Sequence, residues 1–289
     1  MTKKHNKAKA LLGAALLIII GLGVYIGYDN SQIAVKEQDV YIENLPQSFE
    51  GFRILQISDL HDAQIGENNE KLIAMTAETE PDCIVLTGDF VDSSRFHPER
   101  SLSVAESLVK IAPVYYVSGN HEAILPDEDY QALTDGLRGL GVCVLEDESA
   151  ELTRDGQSIR LIGLTDIGFH PGTLEEKKDA LRTALSALLP EDEFSVTLAH
   201  RPELMDVYTE CGAPLVLSGH AHGGQIRLPG IGGLIAPGQG LFPKYTEGKY
   251  EENGTTLVVS RGIGNSVLPL RVNDRPQIVV VQLACNYRM

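Results

Sequence analysis

Apolar and polar positions change period several times along the chain, and each change predicts an element. Residues 52–58 and 113–118 are short strand patterns, and residues 83–87 are an apolar run of strand length, β-branched in part. Between them, residues 68–80 read as a helix that stops before Pro81. Residues 97–111 read as a second, with Leu102, Ala105, Leu108 and Val109 on one face. A third helix at 129–140 and a strand near 142–145 continue the alternation. Strand–helix alternation implies a parallel sheet with helices on its faces. The second half is richer in strands. Residues 151–154 and 159–164 flank Asp155-Gly156, a hairpin turn signal. A helix at 174–189 stops before Pro190, strands follow at 194–199 and 215–218, and a Gly- and Pro-rich loop covers 228–243. Two strands near 256–260 and 277–283 close the chain.

The amino-terminal pattern belongs to none of these elements. Residues 10–28 carry no charge, and roughly 20 apolar residues are what a bilayer core requires. Lys3, Lys4, Lys7 and Lys9 precede the run and Asp29 follows it. Two readings fit, an uncleaved anchor and a cleaved signal peptide. The run is long for a signal-peptide core and no A-x-A site follows it, which favours the anchor. Positive charge before the span places the amino terminus in the cytoplasm and the body outside. The expected division is a basic cytoplasmic tail (1–9), a single-pass transmembrane anchor in the cell membrane (10–28), a stalk leading into a first strand (29–49), and one extracytoplasmic catalytic domain (50–289). No repeat, low-complexity tract or linker divides the chain after residue 50.

Composition changes the picture in two places. Without its four amino-terminal lysines the formal charge goes from −16 to −20. A body that acidic repels phosphate backbones, so no nucleic-acid partner is expected, whereas cation binding is compatible with it. The four cysteines, Cys83, Cys143, Cys211 and Cys285, form no CxxC pair. Cys83 and Cys143 lie in or beside apolar runs, where a thiol behaves as a small hydrophobe; a disulfide is the other reading.

Chemistry enters at the strand ends. Five of them are followed by Asp59 and His61, by Asp89 and Asp92, by Asn120 and His121, by His200, and by His220 and His222. Ligands in open α/β sheets bind at the carboxyl edge of the strands. Taken singly, Asp89 is a metal ligand, a general base or a turn cap. Taken together, carboxylate, imidazole and amide oxygen make a donor set suited to Mn, Fe, Zn or Co, and the lack of Cys argues against structural zinc. Asp-x-His and His-x-His put alternate side chains on one side of an extended segment. Glu122 is open between a site role and a helix cap. Asp166 reads as a turn residue, His97 and His170 as surface residues, and Arg201 and Arg261 as either phosphate contacts or structural partners.

In their order, Asp59-Leu60-His61, Gly88-Asp89-Phe90-Val91-Asp92, Gly119-Asn120-His121-Glu122, His200 and Gly219-His220-Ala221-His222 resemble the calcineurin-like metallophosphoesterases over residues 52–283. Residues 240–245 and 260–264 are similar to the membrane-associated, YkuE/YaeI-like bacterial branch. The resemblance implies a four-layer α/β sandwich, two mixed sheets flanked by helices. It implies two divalent metal ions, the first held by Asp59, His61, Asp89 and His222 and the second by Asp89, Asn120, His200 and His220. A hydroxide held between them would attack phosphorus in line. His121 would protonate the leaving oxygen and Asp92 would orient His121. The expected substrate is a phosphodiester or pyrophosphate, lipid-linked substrates being suggested by the anchor and the apolar 228–242 loop. A phosphomonoesterase and a metal-poor scaffold are the alternatives.

Overall fold

The computed structural model describes residues 2–265 and 270–285, with side chains from residue 11 onward. The lysines of the expected cytoplasmic tail therefore lie outside the described side chains. Helix α1 (Thr2–Asn30) is followed by β1 (Ala34–Ile42), β2 (Arg53–Ile57), α2 (Glu70–Glu78), β3 (Cys83–Thr87), α3 (Pro98–Leu108), β4 (Val114–Val117), α4 (Asp127–Gly139) and β5 (Cys143–Val144). Then come β6 (Glu148–Arg154), β7 (Gln157–Gly163), α5 (Leu174–Leu188), β8 (Ser195–Leu198), α6 (Met205–Cys211) and β9 (Leu215–Ser218). Two small ladders, β10 (Arg227–Leu228) with β11 (Gly232–Gly233) and β12 (Ile235–Ala236) with β13 (Gly240–Leu241), precede β14 (Gly248–Glu252), β15 (Thr255–Val259) and β16 (Gln277–Cys285).

Two six-stranded sheets form, ordered β1-β16-β2-β3-β4-β5 and β14-β15-β9-β8-β7-β6. Both are mixed. β2 to β5 run parallel and β16 antiparallel to β2, while β7, β8, β9 and β15 run parallel with antiparallel β6 and β14 at the edges. The alternation along β3 shows how the layers assemble. Cys83 and Val85 face the second sheet, packed in one cluster with Val196, Leu198, Leu215 and Val258. Ile84 and Leu86 face the other way, onto Leu72, Val104, Leu108 and Leu137 of α2, α3 and α4. On the far side, Val216 and Leu257 pack on Leu181, Leu185 and Val207 of α5 and α6. Each such side chain taken from water contributes roughly 1.5–3 kcal/mol. The result is the expected helix–sheet–sheet–helix sandwich, with an apolar cluster between each pair of layers.

Local expectations met the structure with small shifts. The 155–156 turn has φ of 51° and 80°, the left-handed pair that a two-residue hairpin needs. Helix α5 starts on a capping box between Thr173 and Glu176. The helix expected from residue 68 begins two residues later. Asn68 and Asn69 are left-handed, and the Asn69 side chain ties Ile65 N and Ala63 O instead of capping α2. Within the segment expected to hold the stalk and entry strand, residues 34–42 form a nine-residue strand paired in parallel with β16, with Val40 buried, so this strand belongs to the first sheet. Among the described residues no disulfide forms, and Cys83 is buried in the core between the sheets.

Candidate active site

The parallel strands of both sheets end at one edge of the sandwich, and the loops leaving them meet there. β2 leads to Asp59 and His61, β3 to Asp89, β4 to Asn120 and His121, β8 to His200, and β9 to His220 and His222. Gln56 pins the two sheets together beneath this edge, donating to Thr87 Oγ1 at 3.0 Å and to Ser218 O at 2.9 Å. Asp59, His61, Asp89, His220 and His222 all have φ between 45° and 64°. Non-glycine residues held there cost about 1–3 kcal/mol each, a strain found where side chains must be aimed rather than relaxed. Gly219 is required for a different reason: a Cβ there would sit 1.9 Å from Ser58 Oγ and 2.3 Å from Asp59 Oδ2.

The donors fall into two groups. Asp59, His61, Asp89 and His222 bring ligand atoms within 4.8 Å of one another, as do Asp89, His200 and His220, so Asp89 belongs to both. His61 Nε2 faces His222 Nε2 at 3.3 Å and Asp89 Oδ2 at 3.7 Å, and His222 Nε2 lies 3.4 Å from Asp59 Oδ1. His200 Nε2 faces Asn120 Oδ1 at 3.2 Å, Asp89 Oδ2 at 3.2 Å and His220 Nδ1 at 3.1 Å. Asn120 thus joins the second group through its amide oxygen. All seven residues expected from the sequence come together, six of them buried.

The protonation states of three of the four histidines suit cation binding, and a cation would displace the proton of the fourth, His200. Burial pushes His61 down to about 4 and holds His220 and His222 below the ordinary imidazole range, keeping each ring neutral with a lone pair to offer. Burial also disfavours charge on His200, but the Asp89 carboxylate beside it prevails and raises its pKa to about 10. His200 Nδ1 points at Thr87 O, 2.8 Å away, so that nitrogen donates and Nε2 faces the shared carboxylate. The ring nitrogens that face each other across 3.1–3.3 Å lie beside buried carboxylates, within the two groups of convergent donor atoms. The residues present therefore fit divalent metal ions, with nitrogen and oxygen donors and no thiolate.

Further residues support the site, and among them Ser93 and Glu203 carry no local signature in the sequence. The Glu122 carboxylate accepts from four backbone N–H groups, those of Asp89 (2.9 Å), Phe90 (2.7 Å), Val91 (3.2 Å) and Gly119 (2.6 Å). It therefore shapes the two loops that present Asp89 and Asn120. Burial and the Asp89 charge raise its pKa to about 7, against those donors, which stabilise the anion. Glu203 Oε1 stands 3.5 Å from His220 Nε2, and neither that nitrogen nor Glu203 Oε2 has a hydrogen-bond partner. His121 lies at the mouth, its Nδ1 taking Ser93 N at 3.2 Å and Ser93 Oγ at 3.0 Å. Asp92 Oδ1 is farther from that nitrogen, 3.7 Å, and the Asp92 carboxylate accepts from Ser94 N and the Arg95 guanidinium. Arg201 is engaged by Asp166 at 2.7 and 3.1 Å, and Arg261 by Glu247, so both are structurally paired. Asp166 is more than a turn residue, being buried and bridging Arg201 to Gly168 N. His97 is exposed beside Glu99, as expected, whereas His170 is half-buried.

Two groups of potential metal ligands sharing one carboxylate, at the carboxyl edge of a two-sheet sandwich, point to a metallohydrolase class. The chain belongs to the calcineurin-like phosphoesterase family, whose sequence model matches residues 52–224. It is 30% identical to the uncharacterized metallophosphoesterase YkuE of Bacillus subtilis, over 95% of this chain and 93% of that one. It is 29% identical to phosphodiesterase YaeI of Escherichia coli, over 80% of this chain and 82% of that one. The fold is shared with TT1561 of Thermus thermophilus, with a TM-score of 0.51 and 15% identity over 74% of this chain and 90% of that one. The chain is thus a metallophosphoesterase, a hydrolase acting on phosphoric esters. Helix α1 is long and apolar enough to cross a membrane over Leu11–Asn30, with mean hydropathy 2.3. A zebrafish relative, 29% identical over 93% of this chain and 62% of its own length, is named a transmembrane protein with a metallophosphoesterase domain.

Proposed function

We propose that the chain is a membrane-anchored, dinuclear phosphodiesterase or pyrophosphatase. The observation that carries this reading is Asp89, whose carboxylate stands in both donor groups. Asp59, His61, Asp89 and His222 hold one metal, and Asp89, Asn120, His200 and His220 the other. When bound, such a pair supplies a hydroxide nucleophile near neutral pH and offsets charge on the phosphoryl oxygens. His121, at the mouth and half-buried, delivers the proton to the leaving oxygen. Ser93 and, beyond it, Asp92 keep the His121 ring aimed. Diester preference is supported by the relative YaeI, which is named a phosphodiesterase. Anchoring through α1, amino terminus in the cytoplasm, is supported by the lysines before the span. Lipid-linked phosphoesters are the substrate class that an anchored enzyme with an apolar 228–242 loop suits.

Activity of the full chain across aryl monoesters, aryl diesters, phospholipids and nucleotide-sugar lipids, each with Mn²⁺, Zn²⁺ and Fe²⁺ separately, tests this reading. A kcat/KM that favours the diester over the matching monoester is expected. The reverse order makes the enzyme a monoesterase, and a preference for soluble esters alone removes the lipid assignment. Fewer than one metal per chain after reconstitution would instead indicate a binding scaffold.

Two substitutions separate the roles within the site. His121→Ala keeps its metal but lowers kcat by about 10²-fold or more, the scale of general acid catalysis. Unchanged turnover would remove its assignment. Glu203→Ala spares the fold but weakens metal at the second position by roughly 10–100-fold, because His220 loses the carboxylate that faces its outer nitrogen. Isothermal titration of the metal-free protein measures it, and unaltered affinity would show Glu203 to be a bystander.

A further inference from the structure

The path of the chain from α1 into the sandwich places the candidate active site relative to the membrane. β1 runs parallel to β16, and β16 antiparallel to β2. The start of β1 at Ala34 and of β16 at Gln277 therefore lies at the same edge as the end of β2, where Asp59 stands. The contact is direct: Gln277 N donates to Gly262 O at 3.1 Å, and Gly262 packs on the Asp59 side chain.

No slack separates this edge from α1. Only five residues separate Tyr28 from Ala34, so the span is at most about 22 Å. They are also tied down. Ser31 N and Gln32 N continue the helix end onto Tyr28 O and Asp29 O, and Lys71 Nζ meets Gln32 Oε1 at 2.8 Å. Asp29 pairs with Arg275 at 2.6 Å, two residues before β16. Tyr25 and Tyr28 are exposed on the last turns of α1, where aromatic rings of spanning helices meet the water interface.

The same edge carries most of the exposed large apolar residues of the body. Outside α1, ten large hydrophobic side chains are exposed among the described residues, and six of them are Leu228, Ile231, Ile235, Leu241, Phe242 and Leu270. Ile231, Leu241 and Phe242 are each more than 60% exposed. Their loop is fixed to the ligand loop, because Leu234 N donates to Gly224 O and Gly224 lies two residues after His222.

We propose that this edge lies against the lipid bilayer, with Ile231, Leu241 and Phe242 inserted into it beside the mouth of the site. The docking rests on the reading of α1 as a membrane anchor. The body is strongly acidic, so the contact is apolar rather than electrostatic and does not require anionic lipid.

The chain contains no Trp, so a single introduced Trp reports on its own surroundings. Phe242→Trp and, separately, Ile231→Trp are made in the full-length chain held in phosphatidylcholine nanodiscs. Tyr41→Trp, exposed near the far end of β1, serves as the reference. The expected result is blue-shifted emission and strong quenching by brominated phosphatidylcholine at residues 242 and 231, unchanged by high salt, with Tyr41→Trp unquenched. Quenching at residue 242 no greater than at residue 41 would overturn the docking. A blue shift without quenching would also overturn it, since the loop would then be covered by protein. A chain that fails to stay with the nanodisc overturns it as well, through the anchor itself, and co-purification of chain with lipid distinguishes that failure from the other two.

Discussion

Asp89→Ala is expected to lose metal and activity together. Its carboxylate is the one group common to both donor sets, so neither position keeps its full complement without it. It also holds neighbouring parts of the site: Oδ1 accepts from His121 N at 2.8 Å, and Oδ2 lies 3.2 Å from His200 Nε2. The expected kcat/KM falls by at least about 10³-fold, beyond the effect of removing a single stabilising donor. Metal per chain, measured after reconstitution and desalting, falls with it. Asp89→Asn is the informative companion. Asn tolerates the left-handed φ of 50° and keeps an oxygen in place, so the backbone survives while the charge is gone. A variant that keeps both metals with Ala at residue 89 would show that the two positions are held independently.

Glu122→Leu is expected to be the most destabilising substitution around the site. Four backbone N–H groups would lose their acceptor at a fully buried position. Each unsatisfied buried donor costs about 1–3 kcal/mol. Removing the buried charge returns part of that, which leaves a net loss of about 3–5 kcal/mol. The melting temperature of the metal-free protein should fall by on the order of 10 °C. Glu122→Gln keeps one acceptor oxygen and should lose less. If Glu122→Leu matched the wild-type melting temperature, the carboxylate would not organise the Gly88 and Gly119 loops.

The seven donors are legible in the amino-acid sequence for a chemical reason. A pair of cations requires carboxylates, imidazoles and an amide oxygen, and the parallel strands of an α/β sheet deliver them at strand ends. Each donor therefore follows a short apolar run, and several follow a glycine that lets the loop close. His121 is legible in the same way, since it adjoins Asn120. The supporting residues are not. Ser93 reads as an ordinary loop serine, and Glu203 as a helix-start acid after Pro202. Their meaning depends on partners 28 and 17 residues away, Ser93 on His121 and Glu203 on His220. Arg271 and Asp274 are fully buried, Arg271 reaching His222 Nδ1 at 3.2 Å across 49 residues, and no spacing rule predicts that contact.

The same division runs through the fold. By itself the sequence determined the alternating elements, the apolar amino-terminal span, the acidic body and the order of the donors, because each depends on local period, length or residue type. Only the tertiary structure decided the bounds and partner of the entry strand at residues 34–42, since a parallel edge strand of mixed polarity is recognised by its partner, β16, more than 230 residues later. Only it decided that Asp89 serves two donor groups, because sharing is a matter of distance. It also decided that the apolar segment and the donors leave the sandwich at one edge, because strand direction exists only once the strands are paired.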